Sequence, residues 1–312
     1  MLPMELLQSL LRAAGIYHHV DSISHLGTST NAVWQIKVGT QKYVMRHRQD
    51  GDEGLAIKEV FISELLRKHQ VPTTEILATA TSENGVATLC TWVPGLRLDH
   101  AIQQLSATDQ YSAWHSCGAV LRLVHEIGLP HAGEIIGEEI KPFTQGWGTW
   151  VLEDVAEDIR WLQETLSLPH VDESLLERTI GAAISVLADV PTQLLHNDAL
   201  PQNILVSPGP NGWVCTGWLD WEFARSGDPL WDVATLDFRP AGLVPSAFYA
   251  GYGQKPEEPA ISIYELLMAT WRTRAELEHG SHWDWPPQKN RLAYLSNLPA
   301  QVEALADRLA VR

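Results

Sequence analysis

The sequence predicts an α+β chain in two lobes: an antiparallel-sheet lobe over residues 1–93 and a mainly helical lobe over residues 94–312. Three observations carry that expectation. Short apolar runs punctuated by Gly, Asn and polar turns fill the first part of the chain. From Ala107 onward apolar residues recur at helical spacing. Between the two regions Pro94-Gly95 breaks both rhythms. With 312 residues the chain is long enough for each lobe to have its own core.

The opening segment MLPMELLQSLLRAAG places Leu6, Leu7, Leu10 and Leu11 at helical spacing, with Glu5 and Gln8 inside the apolar run. It lacks a basic start, so the pattern predicts an amphipathic helix and not a signal peptide. A strand is expected over residues 17–26, then a polar loop Gly27-Thr28-Ser29-Thr30-Asn31. A hairpin follows, 32–38 and 41–47, joined by the tight turn Gly39-Thr40. A helix over about 54–69 is predicted by an apolar face including Leu55, Ile62, Leu65 and Leu66. Two further strands, 74–81 and 86–93, flank Ser82-Glu83-Asn84-Gly85.

In the second lobe, residues 107–127 read as a helix with Trp114, Cys117, Val120, Leu121 and Val124 on its inner face. Residues 141–150 form an aromatic, glycine-rich stretch, suited to a substrate wall or to plain loop packing. Helices are expected over 149–166 and 173–188. Leu194-Leu195 then leads to a loop at Asn197-Asp198, which Pro201 keeps from becoming a helix. Strands at 204–206 and 213–219 surround a Pro/Gly turn, so Asn203 and Asp220 flank the two arms of a hairpin. Gly227-Asp228-Pro229 reads as a helix start, with Asp228 at the N-cap and Pro229 at N1. Helices over 258–278 and 287–311 complete the chain.

Composition removes several function classes. Hydrophobic residues make up 45%, which excludes a disordered chain. A net charge of −16 argues against a nucleic-acid surface. That charge is uneven: residues 1–95 carry 8 Lys/Arg against 9 Asp/Glu, and residues 96–312 carry 14 against 29. An acidic second lobe either draws a cationic substrate or simply keeps the surface solvated. No apolar run approaches the ~18 residues of a membrane span. Cys90, Cys117 and Cys215 form no metal-binding spacing and read as buried apolar residues in a reducing, cytoplasmic setting.

The chemistry concentrates in residues 194–234. His196-Asn197-Asp198 is followed five residues after Asp198 by Asn203, and beyond the next strand comes Asp220. A phosphoryl transferase needs one carboxylate to orient the attacking hydroxyl and take its proton. It also needs an amide oxygen and a second carboxylate for the magnesium that neutralises the phosphates. The spacing is that of the kinase catalytic loop, and Asp220 stands where the Asp of Asp-Phe-Gly would. The continuation Leu219-Asp220-Trp221-Glu222-Phe223-Ala224, Gly227-Asp228-Pro229 and Asp232-Val233-Ala234 resembles the aminoglycoside phosphotransferase family, with its choline-kinase and macrolide-kinase relatives. No Ala-Pro-Glu segment follows Asp220, and only nine residues separate it from Pro229, which disfavours a protein kinase.

The resemblance implies a two-lobed protein-kinase-like fold with a nucleotide-binding first lobe and a catalytic and substrate-binding second lobe. It implies Asp198 as catalytic base, Asn203 and Asp220 as magnesium ligands, and ATP or GTP as donor. Arg46 would hold the phosphates, fixed by Glu59, with Glu64 as the competing partner. Thr28 and Ser29 would face the phosphates, and backbone near Thr91 and Trp92 the base. His196 would order the loop and Asp232 would hold nearby backbone. Glu222, Glu276, Glu278 and Asp284 are the candidates for a cationic acceptor, such as an antibiotic whose phosphorylation confers resistance. The alternatives are a metabolite kinase for choline, an amino alcohol or a sugar, and a silent nucleotide-binding pseudokinase. No nucleic-acid or membrane partner is expected.

Overall fold

The computed structural model describes all residues except 1, 29–30, 50, 52, 84, 240, 281–287 and 312, and the side chains of Thr28 and Gln288. The first helix, α1 (Met4–Ala13), buries Leu7, Leu10 and Leu11. They pack on Trp34, Ile36, Met45 and Leu89 of the sheet behind them. The sheet comprises β1 (Ser22–Thr28), β2 (Ala32–Val38), β3 (Gln41–Arg48) and, after helix α2 (Glu53–Lys68), β4 (Ile76–Ser82) and β5 (Gly85–Thr91). Its order is β1-β2-β3-β5-β4 and every neighbouring pair is antiparallel. β1 begins at Ser22, five residues later than the sequence suggests. Tyr17 is 80% exposed and the His18-His19 pair gives that stretch no alternation to bury.

Side-chain alternation along β3 separates two tasks. Met45 and His47 are buried, Met45 beneath α1, while Arg46 and Arg48 point the other way, toward the second lobe. α2 lies on that second side, since its Glu59 meets Arg46. Ile62 and Leu66 of α2 share one core with Leu121, Val206 and Trp218 of the second lobe. The helix therefore belongs energetically to both lobes.

Beyond residue 95 come β6 (Leu96–Arg97), α3 (Leu98–Ala101), α4 (Ala107–His125), β7 (Gly133–Ile136) and β8 (Glu139–Pro142). Next are α5 (Gly146–Leu152), α6 (Val155–Leu166) and α7 (Glu173–Val186). The predicted single helix over 149–166 is thus two, interrupted at Glu153-Asp154. Ser106 caps α4 and Asp172 caps α7, each accepting a hydrogen bond from the amide three residues on. β9 (Gln193–Leu195), β10 (Ile204–Gly209), β11 (Gly212–Trp218) and β12 (Arg225–Gly227) lead to α8 (Leu230–Asp237). The N-cap of α8 is Pro229 and not Asp228, so the helix starts one residue later than expected, and Asp228 Oδ1 accepts from the Leu230 amide at 3.0 Å. α9 (Ser246–Tyr252) and α10 (Ala260–His279) follow. The predicted last helix is also split, into α11 (Gln288–Ser296) and α12 (Leu298–Arg308), around Asn297. The three cysteines are buried and unbridged. Among the described residues no helix is long and apolar enough to cross a membrane.

Candidate active site

The site is built where β9 runs out. At His196 and Asn197 the backbone leaves the strand, and both amides donate to one carboxylate, Asp232 on α8, at 2.6 and 2.8 Å. Asp232 is fully buried and also meets His125 Nε2 at 3.2 Å; His125 Nδ1 lies 2.7 Å from the Tyr252 hydroxyl. The His196 ring ties the loop to the next hairpin. Its Nδ1 accepts from the Asp198 amide at 3.3 Å, so Nε2 carries the proton and donates to the Leu219 carbonyl at 2.8 Å. These are the orienting and scaffold roles expected for His196 and Asp232.

Pro201–Asn203 forms a single 3₁₀ turn, which aims Asn203 back at Asp198. Asn203 Nδ2 donates to the Asp198 carbonyl at 3.0 Å and to its Oδ2 at 2.9 Å. The Asn203 carbonyl in turn accepts from the Leu219 amide at 2.8 Å, which sets Asn203 beside the turn into Asp220. Burial raises the Asp198 pKa above its ordinary value; His196, Arg272 and the Asn203 hydrogen bond oppose the rise, and Asp220 adds to it. Asp220 adopts φ 69° and ψ 63°, a left-handed conformation that Asp tolerates better than most residues. The bend turns its carboxylate toward the first lobe.

There it meets Arg46. Nη2 donates to Asp220 Oδ1 at 2.8 Å and Nη1 lies 3.0 Å from Glu59 Oε1. Burial would lower the Arg46 pKa, but Glu59 and then Asp220 hold it above its ordinary value. The structure therefore selects Glu59 over Glu64 as the partner of Arg46. The donor set also suits magnesium. With Nδ2 of Asn203 committed to Asp198, its Oδ1 remains as a hard oxygen ligand, and Asp220 adds a carboxylate. Among the described residues no cluster of three or more His, Cys, Asp or Glu competes as a metal site.

Several sequence candidates find other employment. Ser29 and Asp284 lie outside the described residues, as does the Thr28 side chain; Thr28 closes β1 opposite Ala32. Thr91 commits its amide to the Glu75 carbonyl and its hydroxyl to the Glu75 amide, both at 2.9 Å, which withdraws those groups from a nucleotide base. Trp92 follows with Lys42 Nζ 5.3 Å above its ring. Glu222 is buried against Arg48 and Asn31, not open to an acceptor. Glu276 is half-buried beside Arg291 at 2.6 Å, and Glu278 pairs with Arg274 at 3.1 Å. Each of these carboxylates has an arginine beside it, while Glu276 Oε1 has no partner among the described residues.

The space beside the catalytic loop is walled by other residues. A cavity of about 290 Å³ is lined by the indoles of Trp150, Trp231 and Trp271, by Glu153 and Asp154, and by Asn197, the neighbour of Asp198. Asn197 Oδ1 and Trp231 Nε1 are buried without a partner among the described residues. Arg225 stacks on Trp150 at 4.6 Å, and Arg272, between the Phe238 and Trp271 rings, exchanges charge interaction with Asp198. Glu153 and Asp154 escaped the sequence reading because they fall inside what looked like one continuous helix. Arg272 left only the faint signal of a cation on an otherwise apolar helical run. A larger cavity of about 640 Å³ between α1 and β1 contains none of the catalytic candidates; chemistry, not size, identifies the site.

Lys58, one residue before Glu59, donates to the Glu222 carbonyl at 2.7 Å. Burial, then the nearby Arg225, pushes its pKa down to about 8 from 10.5; Glu134, Glu222 and Glu59 oppose the shift. Between those values the unfolded chain binds the proton that the folded protein has released, so folding stability rises with pH across that window. In paired denaturant titrations from pH 7.5 to 10, wild type is expected to gain stability relative to Lys58→Met. Parallel pH dependences would remove Lys58 as the source.

Comparisons with known proteins bear on this geometry. A family model described as the phosphotransferase enzyme family matches residues 24–277. No curated protein matches the chain in sequence. Among solved structures, a Ralstonia eutropha JMP134 protein provisionally described as an aminoglycoside phosphotransferase is similar at TM-score 0.63 and 15% identity, over 98% of both chains. A thermostable mutant of aminoglycoside phosphotransferase APH(4)-Ia, bound to ADP and hygromycin B, gives TM-score 0.62 and 17% identity over 96% of this chain and 97% of that one. The GDP and kanamycin complex of APH(2")-IIia gives 0.57 and 16% over 96% and 98%. The fold is thus the two-lobed, protein-kinase-like α+β fold that the sequence predicts.

Proposed function

This chain belongs to the phosphotransferase enzyme family, and from that premise we propose that it moves the terminal phosphoryl group of ATP or GTP to a hydroxyl of a small cationic molecule. One observation carries the reading: two hydrogen-bonded pairs, Asn203 with Asp198 and Arg46 with Asp220, span both lobes, and the bond from the Leu219 amide to the Asn203 carbonyl sets them side by side. Asp198 orients the acceptor hydroxyl and takes its proton; its raised pKa makes it a better base than a solvated carboxylate. Arg46, held in place by Glu59, receives the donor's phosphates through its planar fork. Asn203 and Asp220 would hold magnesium, which would neutralise charge on the transferring group. Trp92 and its backbone are left to receive the base, and Thr28 and Ser29 the phosphates.

The acceptor belongs in the cavity beside Asn197. Glu153 and Asp154 give it negative charge and Trp231 an indole wall, while Trp150 and Trp271 already stack on Arg225 and Arg272. Antibiotics such as hygromycin B and kanamycin occupy the similar proteins, which supports a resistance role. A compact metabolite such as choline, an amino alcohol or a sugar is the second reading, favoured by a volume of about 290 Å³. A silent pseudokinase is disfavoured by intact Asp198, Asn203 and Asp220. The buried, unbridged cysteines suit the cytoplasm. The test is nucleotide consumption measured against aminoglycosides, macrolides, choline, amino alcohols and sugars. Consumption stimulated by none of these would overturn the acceptor assignment.

Arg46 gives a sharper check. Arg46→Ala is expected to raise the nucleotide KM and lower kcat, because the phosphates lose their guanidinium. Arg46→Lys should keep part of the activity, since a point charge still serves there. Unchanged nucleotide kinetics in Arg46→Ala would discard this role.

A further inference from the structure

Glu222 lies two residues beyond Asp220, and only 5% of it is exposed. Its Oε2 accepts from Arg48 Nη1 at 2.8 Å and from Asn31 Nδ2 at 3.1 Å, and stands 3.8 Å from Arg46 Nη2. Its backbone carbonyl accepts from Lys58 Nζ at 2.7 Å. Every one of these donors comes from the first lobe. Asn31 leads into β2, Arg48 ends β3 two residues after Arg46, and Lys58 precedes Glu59 on α2. A single residue therefore joins three first-lobe elements to the turn that carries Asp220.

Burying a carboxylate is costly unless it is well partnered, and a buried pair adds little net stability compared with apolar packing. Its worth lies in fixing one geometry. The geometry at stake is how Asp220 stands to Arg46, because the 3₁₀ turn Trp221–Phe223 links Asp220 and Glu222 rigidly. Without its first-lobe partners the turn stays bonded to Asn203 through the Leu219 amide, and it shifts as a unit relative to the arginine meant for the phosphates. Misplacement by about 1 Å can cost on the order of 10²-fold in rate.

We infer that Glu222 is a positioning residue for phosphoryl transfer, an inter-lobe latch that sets Asp220 against Arg46 through its bonds to Arg48 and Asn31. The inference rests on the phosphotransferase reading of the site. It differs from a direct metal role for Glu222, because the latch requires Arg48 as much as it requires Glu222.

The test compares Glu222→Gln, which keeps an acceptor oxygen, with Arg48→Met, which keeps an apolar stem, and with the double variant. Each single change should lower kcat by roughly 10–10²-fold, and the double should be no worse than the more severe single, since both break one unit. The magnesium concentration for half-maximal activity should stay as in wild type. Amide hydrogen exchange of the free protein supplies a readout that needs no turnover. Exchange should accelerate together in the segment entering β2 at Asn31 and in the turn at 220–224, in both single variants. Additive losses, exchange confined to the mutated segment, or a raised magnesium requirement in Glu222→Gln alone would overturn the latch. An inactive wild type with coupled exchange would instead count against the phosphotransferase reading while upholding the latch between the lobes.

Discussion

Asp198→Asn is expected to lower kcat by roughly 10²–10⁴-fold, the contribution of a positioned general base. Nucleotide and magnesium binding should persist, because the role proposed for Asp198 is at the acceptor hydroxyl and not at the metal. The loop should persist too. Asn203 Nδ2 donates to both the backbone carbonyl and Oδ2 of Asp198, and an asparagine that presents its amide oxygen can still accept. The amides of His196 and Asn197 remain held by Asp232. What disappears is a carboxylate whose raised pKa equips it to take the proton. A fall in kcat and kcat/KM together would mark an interaction made in the transition state. The measurement is steady-state kinetics with the best acceptor, beside a calorimetric titration of nucleotide with magnesium. Wild-type kcat would remove Asp198 from the mechanism, and loss of nucleotide binding would make it structural.

Asp220→Asn should cost on the order of 10²–10³-fold, as removal of a preorganised electrostatic group does, and should raise the magnesium requirement. Asparagine is the informative replacement here. The residue sits at φ 69°, which Asn adopts with little penalty, whereas Ala would add backbone strain to the loss of the ligand. Arg46 would lose one charged partner and keep Glu59 at 3.0 Å, so the phosphate-binding side should remain assembled. Activity measured against magnesium concentration checks this. Near-normal turnover at limiting magnesium would refute the metal assignment.

The core of the site was legible because its parts are close in sequence and locally determined. His196, Asp198 and Asn203 lie in one loop shaped by Pro201, and Asp220 lies one hairpin away. Arg46 and Glu59 needed strand alternation and one helix. What the sequence concealed depends on distant partners. Nothing near Glu222 betrays that its carboxylate meets Arg48 and Asn31, 174 and 191 positions earlier. Glu276 read as an exposed helical acid because Arg291 reaches it only when α10 and α11 fold together, whereas Glu278 meets Arg274 one turn back on the same helix. Glu153 and Asp154 hid inside an apolar period that runs through the break between α5 and α6. Thr91 looked like free hinge backbone because its bonds to Glu75 span two strands.

The central claim is phosphoryl transfer to a small molecule by Asp198, and its most direct measurement is label transfer. Wild type and Asp198→Asn are each incubated with magnesium and ATP or GTP labelled in the terminal phosphate, together with the acceptor that most stimulates nucleotide consumption. The account predicts a labelled acceptor with wild type, an ester stable to separation, and loss of nearly all of that label in Asp198→Asn despite intact nucleotide binding. Label released only as free phosphate, or equal labelling by the two proteins, would contradict it.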